Sequence, residues 1–391
     1  MIWLFRSVAA LLVYNGIIIY TGKRIFAFIK LYRPALKTRV FWMIYVFLPY
    51  SFIILFFLRF NRFGILYSLG MYLPPFYIYF FGFIILFDFI SFILFLFLRL
   101  INKTDRRSVR LMPAGTGAAL VLTLLLLVYG SVHARDINTT YYSLTVPGFS
   151  AKTNMEKLRI VLVSDMHIGP SVGTKWTSRI IDRINEAKPD IVCMAGDIFD
   201  NGLGGIKDIK GIAAELKQIK APLGIYACPG NHDTSRRTRS IDDFSRFLSE
   251  TGIKLLADEA VPVQSHDGKS GIYVAGRRDA RPIGMQSGRL SVQELTAFVS
   301  ENMVILLDHQ PVELPEAALA GLDLVLSGHT HKGQFFPGNL FTRSIFKKAG
   351  GIHYGYWQKN NTQAIVSSGA GVWGPPIRIG TNSEIVVIEI Q

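Results

Sequence analysis

Residues 158–167 read LRIVLVSDMH, a mostly apolar run that ends in a polar cluster. A short apolar run of this kind predicts a buried β-strand. The polar residues would then lie at the carboxyl end of the strand, where ligands gather in α/β sheets. Asp165 and His167 are two residues apart, so on an extended segment both side chains point to the same side and can reach one metal ion. The stretch therefore predicts an α/β sheet with a metal site at its edge.

The same arrangement recurs further along the chain. Apolar runs predict strands at 158–164, 190–196, 223–228, 271–275, 303–307, 323–327, 364–368 and 384–390. Helical periods cover 177–187, 209–219 and 290–300. The pattern predicts a layered α/β domain.

Four more of these strands end in polar blocks. The blocks are Gly196-Asp197-Ile198-Phe199-Asp200, Gly230-Asn231-His232-Asp233, Asp308-His309-Gln310 and Ser327-Gly328-His329-Thr330-His331. One such block alone is more often a turn or a cap than a ligand set. Asn is an unusual neutral oxygen ligand, and mixed oxygen and nitrogen donors suit mid-series divalent metals. The ordered set of blocks therefore predicts a metal centre.

With these motifs, residues 158–390 resemble the calcineurin-like metallophosphoesterase superfamily. The chain is most similar to its membrane-linked YkuE-like and TMPPE-like members, through the apolar N-terminal segments and two further stretches. These stretches are Gly328–Gln334 with Phe335-Phe336-Pro337, and Gly371-Val372-Trp373-Gly374-Pro375-Pro376. The resemblance implies a four-layer αββα sandwich and a metal-dependent hydrolase of phosphoric esters.

The resemblance also implies a site with two divalent cations, Mn²⁺, Fe²⁺ or Zn²⁺. The implied ligands of the first metal are Asp165, His167 and His331, those of the second are Asn231, His309 and His329, and Asp197 bridges both. His232 would contact the phosphate and protonate the departing oxygen. Asp233 would orient His232, and Asp200 would support the site without binding metal.

Several residues near these motifs have open roles. Arg277-Arg278-Asp279 stands where relatives often have acidic residues, and Arg236, Arg237 and Arg239 follow the Asn-His block. These arginines are either a solvated basic surface or a receptor for an anionic substrate. Trp373 either forms an apolar wall beside the metals or packs on the last strand. His353 is by default a surface histidine.

The N-terminal third of the chain carries almost all of the net charge. Residues 1–135 contain 15 Lys and Arg and two acids, whereas residues 136–391 contain 27 and 26. The nearly neutral second part argues against a nucleic-acid substrate, since a phosphate backbone requires a basic track on the folded domain. We therefore divide the chain into a transmembrane domain at 1–135, a linker with a first edge segment at 136–157, and the catalytic domain at 158–391.

Four apolar stretches are long enough to cross a bilayer, at about 2–21, 40–58, 72–98 and 113–132. Basic residues follow the first span and precede the last, so the positive-inside tendency places both loops in the cytoplasm. The resulting multi-pass topology puts the catalytic domain on the periplasmic or extracellular side. Asp88 lies within the third span, where an acid is either functional or a helix contact, and no partner is visible at that depth.

The leading hypothesis is a membrane-anchored phosphoesterase that acts on a phosphomonoester or phosphodiester linked to lipid or the cell envelope. An alternative is UDP-2,3-diacylglucosamine pyrophosphatase activity in lipid A synthesis, which requires a cytoplasmic domain. A third is a sensor or scaffold that binds metal without turnover. The two cysteines, Cys193 and Cys228, lie in apolar runs and are expected in the core rather than in a disulfide.

Overall fold

The chain divides into two compact units, Met1–Gly130 and Ser131–Gln391. The structure, a computed structural model, describes residues 2–57, 68–100, 107–233, 241–264, 271–280, 288–297, 302–348 and 350–391. Arg236, Arg237 and Arg239 lie outside these residues.

Long helices form the first unit. They are α1 (Ile2–Tyr32), α2 (Thr38–Phe57), α3 (Leu73–Leu100) and α4 (Arg107–His133), whose last turn enters the second unit. Among the described residues, three segments are long and apolar enough to cross a membrane: Leu11–Tyr32, Ser68–Leu100 and Pro113–His133. The predicted span at 40–58 overlaps α2 but is not one of the three, so a count of four spans stays a prediction.

Asp88 has partners that the sequence reasoning missed. Arg24 Nη2 lies 2.8 Å from Asp88 Oδ1, and the Tyr20 hydroxyl donates a hydrogen bond to Asp88 Oδ2. The expectation of no partner is wrong because α1 continues to Tyr32, which brings Arg24 into the helix rather than into a following loop. The Asp88 carboxylate thus joins α3 to α1. A cation and a hydrogen-bond donor of this kind offset the cost of a carboxylate within an apolar helix.

Two six-stranded sheets form the second unit. The first contains β1 (Ile137–Leu144), β2 (Leu158–Val163), β3 (Ile191–Ala195), β4 (Ile225–Cys228), β5 (Lys254–Leu255) and β12 (Ser383–Ile390) in the order β1-β12-β2-β3-β4-β5. The second contains β6 (Glu259–Pro262), β7 (Ile272–Gly276), β8 (Met303–Leu307), β9 (Leu324–Ser327), β10 (Gly355–Lys359) and β11 (Thr362–Val366) in the order β10-β11-β9-β8-β7-β6. Strands β2, β3 and β4 run parallel, as do β7, β8, β9 and β11, so their polar ends meet at common edges.

Apolar side chains from both sheets pack against each other and form the central core, as Ile160 and Leu162 do with Ile305 and Leu326. The helices of this unit are α5 (Phe149–Thr153), α6 (Thr174–Glu186), α7 (Ile209–Leu216), α8 (Ile241–Glu250), α9 (Val292–Thr296), α10 (Leu314–Leu319) and α11 (Gly338–Lys348). Helices α6, α7 and α8 cover the outer face of the first sheet, and α9 and α10 cover that of the second. The predicted α/β sandwich is therefore confirmed, with two mixed sheets.

Each of the eight predicted strands overlaps a strand of the structure, which has four more described strands, one of them β1 within the expected edge segment at 136–157. Strand β1 pairs in parallel with β12, which runs antiparallel to β2, so the segment that precedes residue 158 completes the edge of the first sheet. Strands β5, β6 and β10 are short or partly exposed and have no clear apolar run. Cys193 and Cys228 are both free and buried, as expected.

Candidate metal centre

Six candidate ligands from the ends of four strands converge in one place. Asp165, His167 and His331 form one group in which one nitrogen or oxygen atom from each residue lies within 4.8 Å of the others. Asp197, His309 and His329 form a second such group, and His167, Asp197 and His232 form a third. Residues up to 166 positions apart in the sequence thus share one site, because the strands that carry them are neighbours in the two sheets.

The three side chains of the first group place their ligand atoms very close together. His167 Nε2 lies 3.0 Å from His331 Nε2, and His331 Nε2 lies 3.4 Å from Asp165 Oδ1. Two imidazole nitrogens that face each other at this distance repel through their lone pairs unless a proton or a cation lies between them. The arrangement therefore suits a shared cation.

The backbone at these residues differs from the expected extended segment. Asp165 and His167 have φ angles of 51° and 46°, and Asp197, His329 and His331 also have positive φ. Non-glycine residues rarely adopt this left-handed conformation, and such strain concentrates at functional sites. The inference that alternation along a strand aims both Asp165 and His167 is wrong. Tight turns after the strand aim them instead.

Asp197 belongs to the second and third groups and lies close to His167 of the first. Its Oδ2 is 3.6 Å from His167 Nε2 and 3.2 Å from His309 Nε2, while its Oδ1 accepts a hydrogen bond from the backbone N–H of His232. The preceding Gly196 has φ 78°, and a Cβ there would lie 2.6 Å from His309 Nδ1. Only glycine allows the turn and the His309 ring to approach this closely.

The donor set fits divalent cations. Asn231 Oδ1 is buried and accepts no hydrogen bond from the described residues, although a buried amide oxygen normally has a donor. A cation would satisfy it. On the other side, His309 Nδ1 lies 2.8 Å from the Ala195 carbonyl oxygen, so Nδ1 donates and Nε2 is the atom that can bind a metal once its proton is lost.

Burial and charge set the protonation of the candidate ligands. Burial raises the pKa of Asp197, but the charge and hydrogen bond of His309 outweigh it and hold this pKa well below the usual range. Burial lowers the pKa of His309, yet the Asp197 charge raises it well above its ordinary value. Burial lowers the pKa of His329 to about 3, and burial together with the charge of His167 holds the pKa of His331 well below its usual range. The last two imidazoles are therefore neutral near pH 7 and able to bind metal.

His232 is a partly exposed imidazole of the cluster, with 20% of its side chain accessible. Its ring centroid lies 4.9 Å from that of His167, and its Nδ1 lies 2.7 Å from the main-chain oxygen of Asp200. The Asp233 carboxylate, in contrast, accepts hydrogen bonds from the backbone N–H groups of Gly230, Ile198 and Phe199. Asp200 thus contacts the His232 ring through its main-chain oxygen, and Asp233 ties together the turns that carry Asn231 and Asp197. The role of Asp233 in orienting His232 stays a prediction.

The expectation of a solvated surface or an anion receptor is wrong for Arg277. This side chain is buried, with its Nη1 at 2.8 Å from Asp308 Oδ2 and 2.9 Å from Glu313 Oε2. Arg289 pairs with the same two carboxylates. The two guanidinium groups thus neutralise the two carboxylates. One of these carboxylates belongs to Asp308, the residue before His309 in the chain. The sequence did not reveal this network because its members lie up to 36 positions apart, as Arg277 and Glu313 do.

Arg378 is a further buried cation that the sequence reasoning missed. Its Nη2 donates to the carbonyl oxygens of Ser368 at 2.6 Å, Gly369 at 3.1 Å and Gly371 at 2.8 Å. Its Nη1 donates to the carbonyl oxygen of His331 at 3.4 Å. The guanidinium therefore joins the loop after β11 to the turn that carries a candidate ligand.

Trp373 borders the metal centre. Its ring is half-exposed and lies 6.2 Å from the His232 ring, centroid to centroid. Gln334 holds the Trp373 backbone in place, since its Oε1 accepts from the Trp373 N–H and its Nε2 donates to the carbonyl oxygens of Trp373 and Pro375. Of the two roles left open, this geometry favours the apolar wall beside the site. His353 is partly buried, and its carbonyl oxygen accepts from the Thr330 hydroxyl.

The sequence is similar to those of known proteins. The family model of the calcineurin-like phosphoesterases matches residues 158–333. An uncharacterized metallophosphoesterase of Aquifex aeolicus is 31% identical over 60% of this chain and 85% of its own length. One from Campylobacter jejuni is 29% identical over 100% of this chain and 99% of its own. A transmembrane protein with metallophosphoesterase domain from Danio rerio is 33% identical over 71% of this chain, which spans only 62% of that relative's length.

Proposed function

The chain belongs to the calcineurin-like metallophosphoesterases and is a metal-dependent phosphoester hydrolase, and from this premise we propose that it uses two metal ions to hydrolyse a lipid- or envelope-linked phosphomonoester or phosphodiester. The observation that carries the proposal is the convergence of Asp165, Asp197 and four imidazoles at one place, all of them buried except His329.

We assign Asp165, His167 and His331 to one cation and Asn231, His309 and His329 to the other, with Asp197 shared between them. A pair of divalent ions supplies Lewis-acid stabilisation of phosphate charge and a nucleophilic water near neutral pH. The protein side chains would position the two ions. The strained turns and the buried hydrogen bonds hold the ligand atoms in position before substrate binds, so little reorganisation is needed.

We assign the proton transfer to His232. Its ring is partly accessible to a substrate, whereas Asp165, His167 and His309 are buried. The hydrogen bond from its Nδ1 to the Asp200 main chain directs its Nε2 away from that carbonyl, and a positioned imidazole can give a proton to the leaving oxygen. Trp373, whose ring lies beside His232, would limit water on that side and contact the leaving group.

The N-terminal spans would confine the enzyme to the membrane. Basic residues cluster at 22–39 and 99–110, so we propose a multi-pass topology with both segments on the cytoplasmic side and the catalytic domain outside. A substrate at the membrane surface, in a lipid or in the cell envelope, fits that placement. A reporter fused to the C-terminus that is active only in the cytoplasm would contradict it and would favour the UDP-2,3-diacylglucosamine substrate.

The test is hydrolysis by the full-length, Mn-loaded protein, compared between phosphomonoester, phosphodiester and UDP-lipid substrates. Asp197→Asn should abolish turnover, and His232→Ala should reduce kcat by about 10²–10⁴-fold, the usual contribution of a general acid. Asp182→Asn is the matched control, because Asp182 is an exposed carboxylate on α6. Full activity in the first two variants would refute the assigned roles.

A further inference from the structure

Helix α11 (Gly338–Lys348) carries a large apolar surface that nothing in the described chain covers. Leu340, Phe341 and Ile345 are 56%, 66% and 62% exposed. Phe341 and Ile345 are four residues apart and so lie on one side of the helix. Soluble surfaces rarely carry apolar residues in such density, and a cluster of this kind marks an interaction site.

The opposite side of this helix packs against the metal centre. Phe346 is buried, and its ring lies 6.1 Å from that of His329, centroid to centroid. The backbone of Asn339 lies so close to Gly333, two residues after His331, that a Cβ on this glycine would be 2.2 Å from it. The exposed face is therefore held rigidly on the turn that carries two candidate ligands. The helix also lies beyond the residues 158–333 that the family model matches.

The positive charge around α11 indicates that its binding partner is anionic. Residues 324–383 contain six Lys and Arg and no Asp or Glu, although residues 136–391 as a whole are nearly neutral. Three of the six, Arg343, Lys347 and Lys348, are exposed on α11. A helix with bulky apolar residues beside a wholly basic set is typical of segments that lie in the interface of an anionic bilayer.

The short connection between the last candidate span and the catalytic sheet also favours a lipid bilayer as the partner. The last candidate span ends at His133, and β1 of the catalytic sheet begins at Ile137. Four residues reach at most about 14 Å. The start of the catalytic sheet is thus held close to a bilayer, where a weak interfacial helix meets a high local concentration of lipid.

We propose that α11 is an interfacial helix that inserts Leu340, Phe341 and Ile345 into an anionic lipid bilayer and so sets the catalytic unit on the membrane surface. The basic residues of the helix contact lipid phosphates. The apolar residues enter the boundary between headgroups and acyl chains. The metal centre then receives phosphoesters that project from the same surface.

The test uses the full-length protein in lipid nanodiscs, with an environment-sensitive fluorophore on Ile345→Cys. The two native cysteines are buried and should not react. Leu319→Cys is the matched control, because Leu319 is an apolar residue at the end of α10 that is 77% exposed in the same unit. Nanodiscs contain doxyl-labelled phosphatidylcholine as a quencher and either anionic or only zwitterionic lipids.

We expect several-fold stronger quenching at position 345 than at position 319, in anionic nanodiscs alone and unaffected by excess inorganic phosphate. Replacement of Lys347 and Lys348 by Gln should weaken the contact about fivefold per charge. Equal quenching at both positions, or equal quenching in zwitterionic nanodiscs, would overturn the proposal. A blue-shifted but unquenched label would also overturn it and would indicate a protein surface, such as a second copy of this chain. Because the signal does not depend on turnover, it can fail while the hydrolase assignment holds.

Discussion

Replacement of Arg277 by Met should destabilise the catalytic unit far more than the same change at the next residue. Arg277 is 2% exposed and contacts the carboxylates of Asp308 and Glu313. It also donates from Nε and Nη2 to the Leu290 carbonyl oxygen at 3.1 and 2.8 Å. The side chain of Arg278 is 49% exposed, and its nearest carboxylate oxygen, on Asp258, is 3.4 Å away.

The magnitude follows from the charges that remain. In the wild type two guanidinium groups face two carboxylates. Without Arg277, Arg289 alone must compensate both, and Asp308, whose pKa burial already raises against the influence of the two arginines, keeps an unpaired oxygen. Loss of one partner of a buried ion pair costs about 3–5 kcal/mol. An exposed pair contributes about 0–1 kcal/mol, which is the expected cost of Arg278→Met.

Thermal unfolding of the full-length protein checks this difference. For a domain of this size, each kcal/mol lowers Tm by about 2–4 °C, so Arg277→Met should lower the Tm of the catalytic unit by roughly 10 °C. Arg278→Met should lower it by about 4 °C at most. Metal affinity should also fall in the first variant, since Asp308 directly precedes the candidate ligand His309. Equal Tm values for the two variants would refute the view that this network is a buried, mutually neutralising structure.

Three further outcomes are expected. Gly369→Ala should weaken metal binding in calorimetric titration, because its Cβ would lie 2.8 Å from the Asp165 Cβ, whereas Gly374→Ala, also at positive φ but with open space around it, should not. Chelation should abolish hydrolysis, and metal should rebind more weakly as pH falls, because the raised pKa of His309 lets a proton compete with the cation; a pH-independent affinity would contradict this. Arg24→Met should lower the thermal stability of the helical unit, since it leaves the partly buried carboxylate of Asp88 without its cation; an unchanged Tm would show that this pair contributes nothing.

The amino-acid sequence by itself determined the fold class and the chemistry of the site. Apolar runs such as 158–163 specify buried strands through local hydrophobic burial, and polar blocks after them mark the edge where ligands gather. The blocks that contain Asp165, His167, Asp197, His309, His329 and His331 were singled out as candidates in this way, because Asp and His at strand ends are a local signal, and their roles as ligands came from the family resemblance. The length and composition of the apolar helices likewise indicated a membrane region.

Only the tertiary structure decided which groups face one another. The left-handed turns at Asp165 and His167, the contact between Asp88 and Arg24, and the burial of Arg277 and Arg378 depend on residues distant in the sequence, and local patterns carry no information about such pairs. The residue type does not show whether an arginine is buried or solvated. What separates them is whether the fold brings a carboxylate or a carbonyl oxygen within hydrogen-bond distance, because the low dielectric of the interior makes that partner obligatory.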